Sequence, residues 1–289
     1  MLREGWSRPI EGVDVWHRHA GTGPTVLLTA GVHGDEYEGP AALIECIDHL
    51  RYTPVTGRVI VIPVANPMAW RGASRLSPED GLNLARVFPG KAHGTPTEHL
   101  ASQIWTLAEE ADFLIDLHSG GSDYTFLPLA GYYGNASLDA ACRFGLPVLW
   151  NLPETNGVLS CEMHRCGKTA VGCEYLGGGQ LSRPGVQAYT RGVRSCLALW
   201  GLLPNEQPRP ANGDRYTGDW MLAEAEGAFV ATARLGDMVE AGASLATIRN
   251  TRGEPLQEFK AATHGRVLAI RSKGYIRKGD WGVLVAKYA

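Results

Sequence analysis

The sequence predicts an α/β protein, a mostly parallel or mixed sheet with flanking helices, followed by a small all-β module. Three observations predict it. From about residue 25 to residue 203, short apolar runs rich in Val, Ile and Leu alternate with amphipathic stretches. That is the pattern of buried strands separated by helices. Three prolines in residues 204–210 then break the pattern as a linker does. Beyond them lie only short alternating runs with regular turns, too short for capped helices. The expected division is a first domain at 1–204, a linker at 205–212 and a β module at 213–289.

Taken in order, the buried strands are Val26 to Ala30, Val59 to Val64, Asp112 to His118, Val148 to Asn151 and Thr169 to Tyr175. A helix over Pro40–Leu50 opens with proline in its first turn. Thr95-Pro96-Thr97-Glu98 has the form of a capping box, with Thr95 as N-cap, and starts a helix that runs to about Ala111. Pro184 to Leu203 is the third helix. In the β module, Gly227 to Val230, Leu235 to Val239, Leu245 to Ile248, Gly265 to Ile270 and Val283 to Val285 read as strands. Arg234-Leu235-Gly236-Asp237 and Arg277-Lys278-Gly279-Asp280 echo each other, which suggests two similar halves or a shared turn chemistry.

Composition narrows the function. With 44% hydrophobic and 20% charged residues over 289 positions, the chain can bury a core without staples. A net charge of −3 points away from nucleic acid and anionic membranes and towards a small-molecule substrate. Met1 to Trp6 contains no apolar signal core, and no apolar run approaches a membrane span. The six cysteines include no C-x-x-C pair, so reduced thiols in the cytoplasm are expected. Symmetric self-assembly is common among enzymes, and homo-oligomerisation is compatible with this chain.

The chemistry concentrates at strand ends. Gly31-Val32-His33-Gly34-Asp35-Glu36 follows the run Val26 to Ala30. It puts an imidazole and a carboxylate at a strand's C-terminal end, where open α/β sheets bind ligands. Zinc accepts such a pair, and a third ligand leaves one position open for catalysis. His118 is the natural third ligand, delivered by the strand Asp112 to His118. Asp116, two residues earlier on the same face, is placed to orient a ligand. Glu174 interrupts the apolar strand Thr169 to Tyr175. A carboxylate there must be paired, hydrogen-bonded or at a cavity edge, and a metal hydrolase needs such a base near the attacking water. The long connection Asn66 to Gly90 carries Arg71, Arg75 and Arg86, whose guanidinium groups suit a substrate carboxylate or a developing oxyanion. No P-loop, G-x-G-x-x-G or G-x-S-x-G pattern occurs. His17, His19, His93 and His99 read as surface residues.

Taken together, these motifs resemble the succinylglutamate desuccinylase/aspartoacylase family, zinc amidohydrolases related to the zinc carboxypeptidases. The resemblance rests on Gly31-x-His33-Gly34-x-Glu36, Asn66-Pro67-x-Ala69, Asp80-Gly81-x-Asn83-Leu84-x-Arg86-x-Phe88-Pro89-Gly90, Asp116-Leu117-His118 and a late Glu174 before glycines. It spans about residues 25 to 200, and the trailing β module also fits. It implies a zinc-carboxypeptidase-like mixed sheet for the catalytic part and a barrel-sandwich-like module after it. It further implies one Zn2+ per chain on His33, Glu36 and His118, with Glu174 as general base and acid. Arg75 would polarise the scissile carbonyl and Arg86 would bind a substrate carboxylate. The implied substrate is a small N-acyl amino acid or related amide.

In one place the chain departs from the family. Where family members often carry Asn-Leu-Asn-Arg, this chain has Asn83-Leu84-Ala85-Arg86. Either Asn83 takes over the lost amide's contact with substrate, or the substrate differs. Two other readings use the same residues. One is a zinc carboxypeptidase acting on peptides. The other is a non-catalytic zinc-site protein whose β module docks a partner. The module is also similar to lipoyl-type domains, but Lys260 in Glu258-Phe259-Lys260-Ala261 does not sit on an acylation turn.

Overall fold

The computed structural model describes residues 5–289; Met1 to Glu4, part of the segment read for an export signal, lie outside the described residues. An edge hairpin comes first, β1 (Gly5–Ile10) and β2 (Val13–Ala20). Then follow β3 (Thr25–Ala30), α1 (Glu38–Leu50), β4 (Gly57–Ile62), the short α2 (Pro67–Arg71), α3 (Pro96–Glu110) and β5 (Phe113–Leu117). Next come β6 (Tyr124–Tyr132), α4 (Gly134–Phe144), β7 (Val148–Asn151), α5 (Leu159–Arg165), β8 (Thr169–Gly177) and α6 (Arg183–Leu199). The rest is strand: β9 (Asp214–Leu222), β10 (Gly227–Ala231), β11 (Met238–Val239), β12 (Ser244–Arg249), β13 (Pro255–Lys260), β14 (Gly265–Arg271), β15 (Tyr275–Ile276) and β16 (Trp281–Tyr288).

The main sheet has twelve strands in the order β1-β2-β4-β3-β5-β8-β6-β7-β9-β16-β14-β11. It is mixed, as expected. β4, β3, β5 and β8 run parallel at its centre, while β6 runs antiparallel to β8. Two apolar clusters cover the faces. One takes Leu43 of α1, Phe144 of α4 and Tyr189 of α6. The other takes Ile104 of α3 and Met163 of α5. Burying each such side chain contributes about 1.5–3 kcal/mol, which holds the helices on the sheet. The α3 start matches its sequence signature, with the Thr95 amide donating to Glu98 Oε2 at 3.0 Å.

The segment after the prolines is all strand, and it is stitched to the main sheet. β9 pairs parallel with β7, and β14 pairs antiparallel with β6. With the pairings β6–β7, β9–β16 and β16–β14, five strands close a ring. Alternate residues explain why β14 and β16 are apolar on both faces. Leu268 and Leu284 join Tyr124, Phe126 and Trp150. Val267 and Val283 join Phe229, Leu245 and Phe259 under the four-stranded sheet β13-β12-β10-β15. Residues 205–212 carry no helix or strand, and the Asn212 amide donates to Cys142 O at 3.3 Å. The two echoing tetrapeptides are one repeated turn. Asp237 and Asp280 each accept the amide three residues back, at 2.8 and 3.0 Å. Lys260 ends a strand and pairs with Glu258.

His17 corrects a sequence expectation. It is buried, not on the surface, because β2 points it inward with Val13 and Val15. Its ring nitrogens find no hydrogen-bond partner among the described residues, and burial, aided by the Arg58 charge, lowers its pKa to about 4. The neutral ring is therefore the native form. Below pH 6.5 the unfolded chain takes up a proton that the folded chain refuses, so stability falls as pH drops from 6.5 towards 4. His17→Leu should flatten that fall, raising the Tm at pH 5 by roughly 5 °C relative to wild type. Parallel Tm–pH curves would contradict this.

Candidate active site

The central register builds the site. Ala30 of β3 lies opposite Leu117 of β5, and Leu117 lies opposite Cys173 of β8. The residues just beyond these positions carry the chemistry: His33 and Glu36 after β3, His118 after β5, and Glu174 on β8. Gly34 cannot be another residue here, since a Cβ would lie 1.9 Å from Ala69 O. The α2 turn packs directly over the His33-x-x-Glu36 segment.

His33, Glu36 and His118 converge, each offering one ligand atom, all within 4.8 Å of one another. His33 Nδ1 lies 2.7 Å from Glu36 Oε1, and His118 Nδ1 lies 3.0 Å from Glu36 Oε2. The other ring nitrogens face acceptors: His33 Nε2 is 3.0 Å from Asn83 Oδ1, and His118 Nε2 is 3.0 Å from Asp116 Oδ2. Asp116 is fixed in turn by Thr29 Oγ1 at 2.7 Å. With a cation between the three residues, acceptors on the outer nitrogens would keep the protons there and leave both Nδ1 atoms as its electron-pair donors, the arrangement metal-binding histidines adopt. The donor set of two imidazoles and a carboxylate fits zinc.

The electrostatics point the same way. Burial alone would raise the Glu36 carboxyl, but His33 and His118 overcome it and hold it below the usual carboxylate range. Burial would lower His118, yet Asp116 and Glu36 push it well above its ordinary value. Burial and the charge of Arg75 lower His33. The point between the three donors therefore favours positive charge.

Glu174 shares a pocket with His33, His118, Arg75 and Arg86. Burial, reinforced by the negative charge of Glu36, raises its carboxyl to about 8, and its Oε2 is buried without a hydrogen-bond partner among the described residues. Arg75 Nη1 reaches Glu36 Oε1 at 3.2 Å. Arg86 donates to Ala85 O at 2.7 Å, stacks over the Trp281 ring at 5.3 Å, and is drawn below its ordinary pKa by burial and Arg75. Its backbone is pinned by Gly157, where a Cβ would lie 2.2 Å from Arg86 C. Arg71 stays outside, against Met68 on the surface.

Asn83 sits where the sequence expected it, but its Oδ1 serves the Ala85 amide at 2.9 Å as well as His33. Sequence reasoning missed the rest of the pocket wall. Phe126, Tyr133, Trp150, Asp219, Trp220 and Trp281 line it, three of them from β9 and β16. The alternation Tyr124, Phe126 before Leu129 was a usable strand signal for β6. Nothing local marks Asp219 or Trp281, because only the ring of strands brings them here.

Fold and site together define a mixed α/β protein whose central strand ends gather a His-Glu-His cluster able to hold a metal. The catalytic-domain description of the succinylglutamate desuccinylase/aspartoacylase family matches residues 22–200, and the chain belongs to that family. N-alpha-acetyl-L-2,4-diaminobutyric acid deacetylase of Halomonas elongata is 35% identical over 286 residues, covering 92% of this chain and 83% of that protein. The product-bound structure of the ectoine utilization protein EutE (DoeB) from Ruegeria pomeroyi matches with TM-score 0.85 and 33% identity, covering 95% of this chain and 89% of that one. A succinylglutamate desuccinylase/aspartoacylase from Rhodobacter sphaeroides matches with TM-score 0.86 and 30% identity, covering 96% and 88%. No helix among the described residues is long and apolar enough to cross a membrane.

Proposed function

We propose that this chain is a zinc-dependent amidohydrolase that removes the acyl group from a small N-acyl amino acid. The observation that carries the reading is the convergence of His33, Glu36 and His118 beside the buried, proton-retaining Glu174 in one pocket. His33, Glu36 and His118 would hold the ion, and a zinc ion there supplies a Lewis acid that polarises a carbonyl and acidifies a water.

The chain's own residues do the rest. Glu174 takes a proton from the attacking water and passes it to the leaving amine, a shuttle suited to a carboxyl whose pKa is raised towards the working pH. Arg75 offers a guanidinium to the developing oxyanion, and Arg86 holds the substrate carboxylate. Asn83 acts by holding His33 and capping the turn before Arg86, which leaves Arg86 as the carboxylate clamp. The first 204 residues form the carboxypeptidase-like catalytic part. Residues 213–289 form a barrel-sandwich-like module whose work is to wall the pocket, not to dock a partner. The cavity, about 140 Å³, is small for a peptide groove and favours small amides over carboxypeptidase action. Six free cysteines suit a reducing compartment, the cytoplasm.

Zinc-loaded protein should be screened on N-acetyl and N-succinyl amino acids, with Nα-acetyl-L-2,4-diaminobutyrate included, alongside short peptides. Hydrolysis of an N-acyl amino acid at a kcat/KM at least about 100-fold above any peptide is the expected result, within the usual enzymatic range. Cleavage of peptides alone, or of nothing, would refute the reading.

A further inference from the structure

Tyr189 has no part in the chemistry above, yet its hydroxyl ends at the metal-ligand cluster. It stands on α6 with its side chain fully buried. Phe144 and Tyr175 pack edge-on against its ring, each with centroids 5.9 Å away. The hydroxyl donates to His118 O at 2.6 Å. The His118 amide donates to Cys173 O at 2.9 Å. β5 ends one residue earlier, at Leu117, so β8 supplies one backbone partner for His118 and α6 supplies the other. Pairing both backbone groups fixes the residue that carries the imidazole.

The bond reaches a second ligand through the peptide that follows. The carbonyl that Tyr189 holds shares its peptide with the Ser119 N–H, and that N–H donates to Glu36 Oε2 at 3.2 Å. The C=O and N–H of a trans peptide point in opposite directions, so the two bonds lie in series. The series runs from the Tyr189 hydroxyl through the His118–Ser119 peptide to the Glu36 carboxylate, and bonds in series polarise one another. Donation to the carbonyl makes the Ser119 N–H a better donor. It thereby holds the same carboxylate oxygen that faces His118 Nδ1. The start of α6 is fastened to the Glu36 segment as well, since the Ser182 amide donates to Glu38 Oε1 at 2.9 Å. The helix is anchored beside one ligand and bonded to another.

Resting on the reading of His33, Glu36 and His118 as zinc ligands, we propose that Tyr189 is a positioning residue that sets the affinity of the cluster for its cation. It does not line the pocket. It acts by fixing one peptide, which carries the His118 imidazole at one end and hydrogen-bonds the Glu36 carboxylate at the other. Tyr189→Phe removes the hydroxyl and keeps the ring packed against Phe144 and Tyr175.

The test is zinc titration of the chelated wild type, Tyr189→Phe and Ser195→Ala. Ser195 is the matched control, because its buried hydroxyl stands on the same helix but donates to Arg143 O of α4 at 2.7 Å. Both variants lose a buried hydrogen bond and should melt below the wild type. Only Tyr189→Phe should bind zinc more weakly, by about tenfold or more, the usual loss when an outer partner of a metal ligand is removed. A second readout needs no variant. In the zinc-free wild type, the Ser119 amide should exchange with deuterium as slowly as the amides of β5. Unchanged zinc affinity in Tyr189→Phe, an equal loss in Ser195→Ala, or loop-like exchange at Ser119 overturns the proposal and leaves the zinc reading intact. A wild type that takes up no zinc overturns the zinc reading and the proposal with it.

Discussion

Replacing Glu174 by Gln is expected to lower kcat by about 10²–10⁴, the usual contribution of a positioned general base. The zinc content and the fold should stay as in the wild type. Gln keeps the shape of the side chain but can neither take up a proton nor give one to the leaving amine. Glu174 lies outside the cluster that His33, Glu36 and His118 form. KM should change little, because the loss falls on the transition state. The pH profile gives an independent check. Without a bound cation, burial and Glu36 hold the carboxyl to about 8. A cation at the cluster favours the carboxylate and lowers that value. In the loaded enzyme the acid limb of kcat/KM should therefore lie below pH 8, with activity rising as Glu174 ionises. That limb should be missing from the residual activity of Glu174→Gln. Undiminished turnover by the variant would remove Glu174 from the mechanism.

The second large effect concerns the cluster. His118→Ala should abolish stoichiometric zinc and reduce hydrolysis to background, because it removes one of three converging donors. Asp116→Asn should act more mildly, weakening zinc affinity by about 10–100-fold, as losing an outer partner of a ligating imidazole does. Asp116 accepts from His118 Nε2 at 3.0 Å and from Thr29 at 2.7 Å. Asn at this position can present an amide N–H to Nε2 and so favour the wrong tautomer. Elemental analysis after dialysis, followed by zinc titration, separates the two variants. Full zinc occupancy in His118→Ala would contradict the ligand assignment.

What was legible in the sequence follows from where each feature takes its instructions. The parallel strands β3, β5 and β8 are buried on both faces, so they write continuous apolar runs that flag their own ends. His33, Glu36, His118 and Glu174 sit at or beside those ends and could be picked out with them. The edge hairpin β1–β2 was missed, and with it the inward turn of His17. In β6, Pro128 and an irregular register between Phe126 and Leu129 interrupt the alternation. α5 has only seven residues, too few to print a periodic pattern. The ring closed by β7–β9 and β6–β14 depends on pairings between distant segments, which no local window records. For that reason the C-terminal strands read as a separate module, and Asp219, Trp220 and Trp281 could not be assigned to the pocket. Asn83 was located, but its Oδ1 contacts with His33 and the Ala85 amide were not, because a side chain's partners within the protein are not written in spacing.

The central claim is that a metal held by His33, Glu36 and His118 is needed for amide hydrolysis by this chain. The most direct measurement follows hydrolysis of an N-acyl amino acid by the full chain before chelation, after exhaustive chelation, and after stepwise return of zinc. The account predicts that activity falls to background on chelation and recovers fully at one zinc per chain. Activity that survives complete removal of the metal would contradict it.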